Sequence, residues 1–389
     1  MRRRKFLQLF SGVSISALPG FRFPLKTSRR VVIVGGGIIG SSIAYHLARR
    51  GAEVTICEKE APASGATSKS FAWINASAEK RPYHYHRINR LSALAYRHLE
   101  AELGGDFQVQ WGGTLEWAEK EERARILRDN VESQQSFGYP THLISDNKFK
   151  TLEPGLELEN PILAAAWHRE EGSIDPELAT RALVEAALSE GAKIEYPCEV
   201  TGIDLNGGSL RQIKTSLGTI EADTLVVAAG VDTPKLAAMA GLTVPLKDSP
   251  GLLAHSVPSN RLLNRLVLAP GGGIKQKIDG SIVVSGGFRG RPVSDDPTGQ
   301  AEEILSRAKG LIPDARDIGL ARYTIGWRPL PEDGFPVIGF PRGTPNIYVA
   351  VMHSGITLAP LVGRLVASEI LDDVRVDLLE PYRLSRFEE

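Results

Sequence analysis

The stretch Val31-Val32-Ile33-Val34-Gly35-Gly36-Gly37-Ile38-Ile39-Gly40 decides how this chain is read. Four consecutive apolar residues fit a strand buried on both faces. They run directly into glycines at positions 35, 37 and 40, the spacing G-x-G-x-x-G. Residues 41–50 then follow a helical period, with Ile43, Ala44, Leu47 and Ala48 on one side and Gly51 as a stop. A second strand is expected over Glu53-Val54-Thr55-Ile56-Cys57, ending at Glu58. Each residue type has a physical task. Gly35 permits a tight turn out of the strand. Gly37 leaves room for a pyrophosphate against the backbone, and Gly40 lets the helix pack closely on the strand. The helix start, at Ile38 and Ile39, offers unpaired N–H groups and the positive end of a dipole to phosphates. Glu58 lies where a carboxylate binds ribose hydroxyls, and it would repel a 2′-phosphate. Strand, glycines, helix, strand and acid fall in order within about 30 residues, the span of one βαβ unit. This predicts a dinucleotide site. It does not by itself choose between NAD and FAD.

The rest of the composition narrows the class. The chain has 389 residues, 42% hydrophobic and 24% charged, which suits two domains, possibly interleaved. Its 46 basic and 46 acidic side chains cancel, which argues against a nucleic-acid binder. No long charge run, low-complexity tract or internal repeat stands out. Two cysteines, Cys57 and Cys198, exclude a disulfide framework and a Cys-rich metal site; both read as buried thiols in strands. No metal site is expected. Tyr83-His84-Tyr85-His86 spaces its histidines by two on an expected helix, which sends them to different faces.

The N-terminus reads separately from the fold. MRRRKFLQLFSGVSISALPGF joins a basic start to a weakly apolar run too short to span a membrane. Arg3-Arg4-Lys5-Phe6-Leu7-Gln8 is similar to a twin-arginine export signal, with Ser16-Ala17-Leu18 the nearest, poor cleavage site. Residues 1–20 are therefore expected to direct export to the periplasm or envelope.

Beyond Glu58 the chain resembles the D-amino-acid oxidase superfamily of FAD enzymes, which includes glycine oxidase, sarcosine oxidase and D-amino-acid dehydrogenase. The resemblance runs in order from about Arg29 to Ile370. Ser64-Gly65-Ala66-Thr67-Ser68 is similar to the family stretch passing the FAD phosphates and flavin. Gly172-Ser173-Ile174-Asp175-Pro176 resembles its turn before a long helix, and Val200 its backbone contact to adenine. Leu225-Val226-Val227-Ala228-Ala229-Gly230 resembles its VVAAG strand. Gly326-Trp327-Arg328-Pro329 matches its G-x-R-P, continued from Asp333 to Gly339. His353-Ser354-Gly355-Ile356-Thr357-Leu358-Ala359-Pro360 resembles its flavin-contacting segment. The segment before the last helix departs from the family's longer Gly-His-Gly version. No cysteine follows Cys198, so the FAD is expected to be noncovalent.

The resemblance implies an α/β chain, α+β overall: a Rossmann-like FAD-binding domain interleaved with a mostly antiparallel-sheet substrate domain. The first would gather residues 29–80, 165–235 and 323–389; the second, residues 81–164 and 236–322. The substrate sheet would include Gly280-Ser281-Ile282-Val283-Val284-Ser285-Gly286, flanked by helices over 82–103 and 119–137. The helix from about 357 to 371 would turn its N-terminus to the reduced flavin. Cofactor contacts are expected from Gly35, Gly37, Ile38, Ile39, Gly40, Glu58, Lys59, Ala66, Thr67, Ser68, Val200, Ala229, Gly230, Gly355, Ile356 and Thr357. Arg328 would hold a substrate carboxylate, and His353 would tune the flavin, touch substrate or simply pack. The implied reaction is oxidation of an amine α to a carboxylate by hydride transfer to flavin N5. D-amino acids, glycine and N-methyl amino acids stay open as substrates, as does O2 or a respiratory carrier as acceptor. The alternatives are 2-hydroxy acid oxidation and a noncatalytic exported redox sensor.

Overall fold

The computed structural model describes residues 29–388 except 79, 105–106 and 288–291. The expected export signal, residues 1–20, lies outside the described residues. The apolar run that opens the fold forms the strand Arg30–Val34, fully buried from Val31 onward. It pairs in parallel with Glu53–Cys57 on one side and Thr224–Val227 on the other. The six-stranded sheet then runs Val337–Gly339, Ile347–Val351, Thr224–Val227, Arg30–Val34, Glu53–Cys57 and Lys193–Glu195, parallel except for Val337–Gly339. Helices Ile38–Ala48, Tyr83–Leu103, Pro176–Ser189 and Gly355–Asp372 cover one face around a core that includes Ile33, Ile43, Leu47, Tyr96, Leu183, Tyr348 and Val362. A three-stranded antiparallel sheet, Val200–Asn206, Ser209–Thr215 and Gly218–Ile220, helps to cover the other face.

The second unit is an eight-stranded sheet in the order Leu320–Trp327, Pro250–Ser256, Ile282–Ser285, Gly272–Gln276, Leu266–Ala269, Thr114–Ala118, Ala164–His168 and Thr141–Leu143. All its pairs are antiparallel except Leu266–Ala269 with Thr114–Ala118. Helix Pro297–Leu311 packs on one region of it through Ala301, Ile304, Leu305 and Ala308. Helix Glu121–Ser136 packs on another through Ala124, Leu127 and Val131.

Three boundaries differ from the sequence expectation. Helix Tyr83–Leu103 does not flank the substrate sheet. Its buried stripe of Tyr85, Ile88, Ser92, Tyr96 and Leu99 joins the nucleotide-domain core, so the face it covers, and not its place in the chain, decides where it belongs. Ala164–His168 pairs with Thr114–Ala118, so the chain leaves the substrate sheet only near Gly172 and not at residue 165. Leu320–Trp327 pairs along Pro250–Ser256, so the return comes after Trp327 and not at residue 323. This last shift puts Arg328 at the seam between the two units.

The final helix is held at its start by its neighbours. Pro360 lacks an N–H, so the carbonyl of Ile356 loses its intrahelical donor. The Tyr96 hydroxyl donates to that carbonyl instead. Ser42 Oγ donates to Ala359 O at 2.7 Å, and the Leu361 N–H donates to Ser92 Oγ at 3.2 Å. Three side chains from two helices thus fix the first two turns of the last one.

Candidate active site

The tight turn after the first strand exists because its glycines admit no side chain. Gly35 has φ +109°, and a Cβ there would lie 2.5 Å from Ala228 O; one on Gly40 would lie 2.0 Å from Gly35 O. The first helix therefore sits directly on the turn. It begins at Ile38 with Gly37 as an N-cap that offers no side-chain bond. The first-turn N–H groups have no acceptor within the helix; that of Ile38 reaches Thr67 Oγ1 at 3.2 Å. Glu58 is buried, and its carboxylate is aimed by two backbone donors, Gly36 N at 2.7 Å and Glu60 N at 2.9 Å. Lys59 bridges to Asp232 at 2.8 Å, joining the loops that follow the two strands on either side of Arg30–Val34.

These groups open onto a cleft of about 1780 Å3 that continues to the seam between the units. Gly35, Gly37, Ile38, Ile39, Glu58, Lys59, Ala66, Thr67, Val200, Ala229, Gly230, Arg328, His353, Gly355, Ile356 and Thr357 all line it. Two expected contacts do not. Gly40 lies against Gly35 O behind the turn, and the Ser68 hydroxyl is engaged with Ser64 O and Gly65 O, both at 3.5 Å.

At the far end the last helix presents its N-terminus. Thr357 Oγ1 accepts from Asn75 N at 3.2 Å and donates to Trp73 O at 3.1 Å, which ties this helix to the segment Trp73–Ser77. The buried Glu171 carboxylate fixes the same segment from the other side. It accepts from Trp73 Nε1 at 3.0 Å, Ser77 N at 3.1 Å and the Tyr139 hydroxyl at 3.0 Å. Asn75 Oδ1, Ser77 Oγ and Gln134 Oε1 are buried at the cleft wall with no hydrogen-bond partner among the described residues. Buried polar atoms left open in this way fit a cleft made for a polar ligand.

Arg328 follows the end of its strand and is half-buried; a Cβ on Gly251 would lie 2.6 Å from its Nη2, so that glycine makes its room. Its guanidinium donates to Pro250 O at 2.7 Å and Gly287 O at 3.3 Å. No carboxylate pairs with it among the described residues. Asp333, the nearby acid in the sequence, is held by Arg386 at 2.6 Å. Burial lowers the Arg328 pKa. His353 lies beside it, its pKa pulled down to about 3 by burial first, then by the charges of Lys80 and Arg328. It is a neutral imidazole at ordinary pH, with Nδ1 3.3 Å from Ser354 Oγ.

Sequence reasoning missed Lys80, Tyr85, Asn75, Ser77 and Glu171. Tyr85 is visible in the sequence only as part of the Tyr-His-Tyr-His run. The two histidines of that run part company: His84 Nδ1 meets the Tyr382 hydroxyl at 3.0 Å, and His86 Nδ1 meets Ala76 O at 2.9 Å. No local pattern marks Lys80 or Glu171, since each acquires its role from residues far along the chain.

The family model for FAD dependent oxidoreductases (DAO) matches residues 30–369. The chain belongs to the DAO family. The glycine oxidase of Geobacillus kaustophilus (strain HTA426) is 31% identical over 373 residues, covering 92% of this chain and 96% of that protein. The glycine oxidase of Bacillus licheniformis is 29% identical over 366 residues, covering 92% and 97%. Among solved structures, the L-proline dehydrogenase of P. horikoshii superposes with a TM-score of 0.84 at 29% identity, covering 93% of this chain and 98% of that one. As a DAO-family oxidoreductase the protein uses FAD, and its residues fit that group. The glycine turn and helix start suit the pyrophosphate, and Glu58 suits the ribose. The last helix's N-terminus and the open polar atoms of Asn75 and Ser77 suit the isoalloxazine end.

Proposed function

We propose that this FAD-dependent oxidoreductase oxidises a small amine α to a carboxylate, and that residues 1–20 export it by the twin-arginine route. The observation that carries the substrate reading is Arg328. It is a half-buried guanidinium at the cleft, bonded only to backbone carbonyls, with no carboxylate partner among the described residues. Its planar fork suits a carboxylate, which it would hold through two parallel bonds. The relatives named glycine oxidase and L-proline dehydrogenase support the same class. So does an opine oxidase component of Agrobacterium tumefaciens (strain Ach5), 26% identical over 368 residues. When bound, FAD would supply the hydride acceptor for oxidation at Cα, and the resulting imine would be hydrolysed by water to an oxo acid with release of ammonia or, from an N-substituted substrate, an amine. The protein's part is orientation. Arg328 fixes the carboxylate, neutral His353 adds no charge beside it, and the eight-stranded sheet roofs the cleft against water.

The test is anaerobic mixing of the holoenzyme with glycine, sarcosine, proline and both enantiomers of common amino acids. Bleaching of the flavin by at least one is expected. If none bleaches it while 2-hydroxy acids do, the amine assignment fails; if neither class does, a redox-sensing flavoprotein becomes the reading. Export is tested by replacing Arg3 and Arg4 with lysine. Delivery to the periplasm is expected to stop, and unchanged delivery would overturn the twin-arginine route.

A further inference from the structure

The substrate end of the cleft holds a second cation that amino-acid oxidation alone does not require. Lys80 is only 6% exposed and lines the same cleft as Arg328. Its ammonium donates to Ser354 Oγ at 2.5 Å and lies 5.0 Å from the centre of the Tyr85 ring. Ser354 Oγ is in turn 3.3 Å from the Tyr85 hydroxyl and 3.3 Å from His353 Nδ1. The position is built. Lys80 is anchored by a hydroxyl and an aromatic face, and neither supplies negative charge.

Among the described residues, four acids that line the cleft are engaged elsewhere. Glu58 is at the nucleotide end, Asp333 is bound to Arg386, Asp232 to Lys59, and Glu116 lies 3.5 Å from His168. Lys80 and Arg328 line the cleft with His353, whose proton affinity both depress, and neither has a carboxylate partner among the described residues. A buried ammonium without a counter-charge is costly, and the cost falls when a ligand supplies the missing anion. The unpartnered Ser77 Oγ and Gln134 Oε1 are polar atoms of the same wall.

We infer that the site takes a dicarboxylate amine. One carboxylate rests on Arg328 and a second on Lys80 with Ser354, as in an acidic amino acid or an N-carboxyalkyl amino acid. This rests on the amine-oxidation reading and narrows it. Arg328 holds the carboxylate next to the reacting carbon; Lys80 selects what the rest of the molecule carries.

The experiment pairs substrates that differ by one carboxylate: glycine with N-carboxymethylglycine, and alanine with aspartate in each enantiomer. Anaerobic flavin reduction by the holoenzyme is expected to favour the dicarboxylate by at least about tenfold in kcat/KM in one pair, the discrimination one charge-assisted bond supplies. In Lys80→Met that ratio is expected to collapse towards one, while Lys80→Arg keeps most of it. A second reading needs no turnover. Malonate and succinate are titrated against acetate, following the perturbation of the flavin spectrum. Tighter binding of a dicarboxylate that Lys80→Met abolishes supports the inference. Equal preference within every pair, or an equal loss on both members in Lys80→Met, overturns it and makes Lys80 structural. If no amine reduces the flavin, the amine-oxidation reading fails, and the dicarboxylate titration still decides whether Lys80 binds a second anion.

Discussion

The nucleotide end of the cleft is built around one contiguous piece of chain, to which Thr67, Val200, Ala229 and Gly230 add from elsewhere, whereas the substrate end is assembled wholly from pieces that meet only in the fold. Gly35, Gly37, Ile38 and Glu58 belong to a single strand–helix–strand unit, and their geometry is set by contacts within it, such as Gly36 N to Glu58 Oε2 at 2.7 Å. Lys80, Arg328 and His353 come from three segments. They meet because helix Tyr83–Leu103 packs on helix Gly355–Asp372 and because the strand Leu320–Trp327 ends at the seam. The difference teaches where each kind of information is kept. Phosphate and ribose recognition lies in backbone shape, which glycine spacing encodes locally. Substrate recognition lies in side chains whose neighbours are chosen by packing.

The sharpest way to break this comparison is at Gly37. Gly37→Leu puts a side chain at the turn, where even a Cβ would lie 3.1 Å from Thr67 Oγ1, and into the path expected for the pyrophosphate. Essentially complete loss of bound FAD is expected, read as the flavin-to-protein absorbance ratio, while far-UV circular dichroism is retained. Wild-type flavin is expected to leave intact with acid or heat. Colour remaining with the precipitated protein would contradict noncovalent binding.

A smaller effect is expected at the assembled end. Arg328→Lys keeps the charge and loses the fork. The loss of one charge-assisted bond, about 1.5–3 kcal/mol, lowers kcat/KM roughly ten- to a hundredfold with the flavin spectrum unchanged. The check is anaerobic reduction by the best substrate and by its decarboxylated amine. Equal slowing of both would show that Arg328 does not read the carboxylate.

The same contrast explains what the sequence makes legible. The βαβ unit is legible because each of its elements follows its own local period and its glycines sit where only glycine fits. Arg328 is legible through a four-residue resemblance. Lys80 is not, since an isolated lysine acquires meaning only once Ser354, brought close by the fold, lies 2.5 Å away. Glu171 is hidden for the same reason: its partners Trp73, Ser77 and Tyr139 lie on distant stretches of sequence. Helix Tyr83–Leu103 falls to the wrong unit in a sequence reading because period predicts a buried face but not what buries it.

Tyr96 joins the two ends of the comparison, since its hydroxyl satisfies the carbonyl that Pro360 leaves open at the start of the last helix. Tyr96→Phe leaves Ile356 O buried and unpaired. A loss of about 1–3 kcal/mol in unfolding free energy is expected from urea titration of the FAD-free protein. Flavin retention should weaken only in proportion, which separates this support role from the abrupt failure at Gly37. An unchanged urea midpoint would show that the first turn of that helix satisfies itself.

The last effect expected is the dependence on acid, and its sign follows from His353. The folded-state pKa is pulled down to about 3, while the unfolded chain titrates near the ordinary histidine value of about 6.5. Above about 6.5 both states are neutral there, and His353 contributes no pH dependence. Between about 6.5 and 3 only the unfolded chain takes the proton, so stability falls as the solution is acidified. His46 and His255, both lowered to about 4 chiefly by burial, act in the same direction. His353→Gln, which cannot titrate, should therefore flatten the fall in melting temperature between pH 6.5 and 4 without removing it. Because the folded imidazole stays neutral, no inflection from His353 is expected in the pH profile of flavin reduction between about pH 5 and 8. An inflection there that disappears in His353→Gln would mean that the substrate's negative charge raises the imidazole back into the working range. That would turn a spectator near two cations into a proton-holding member of the site.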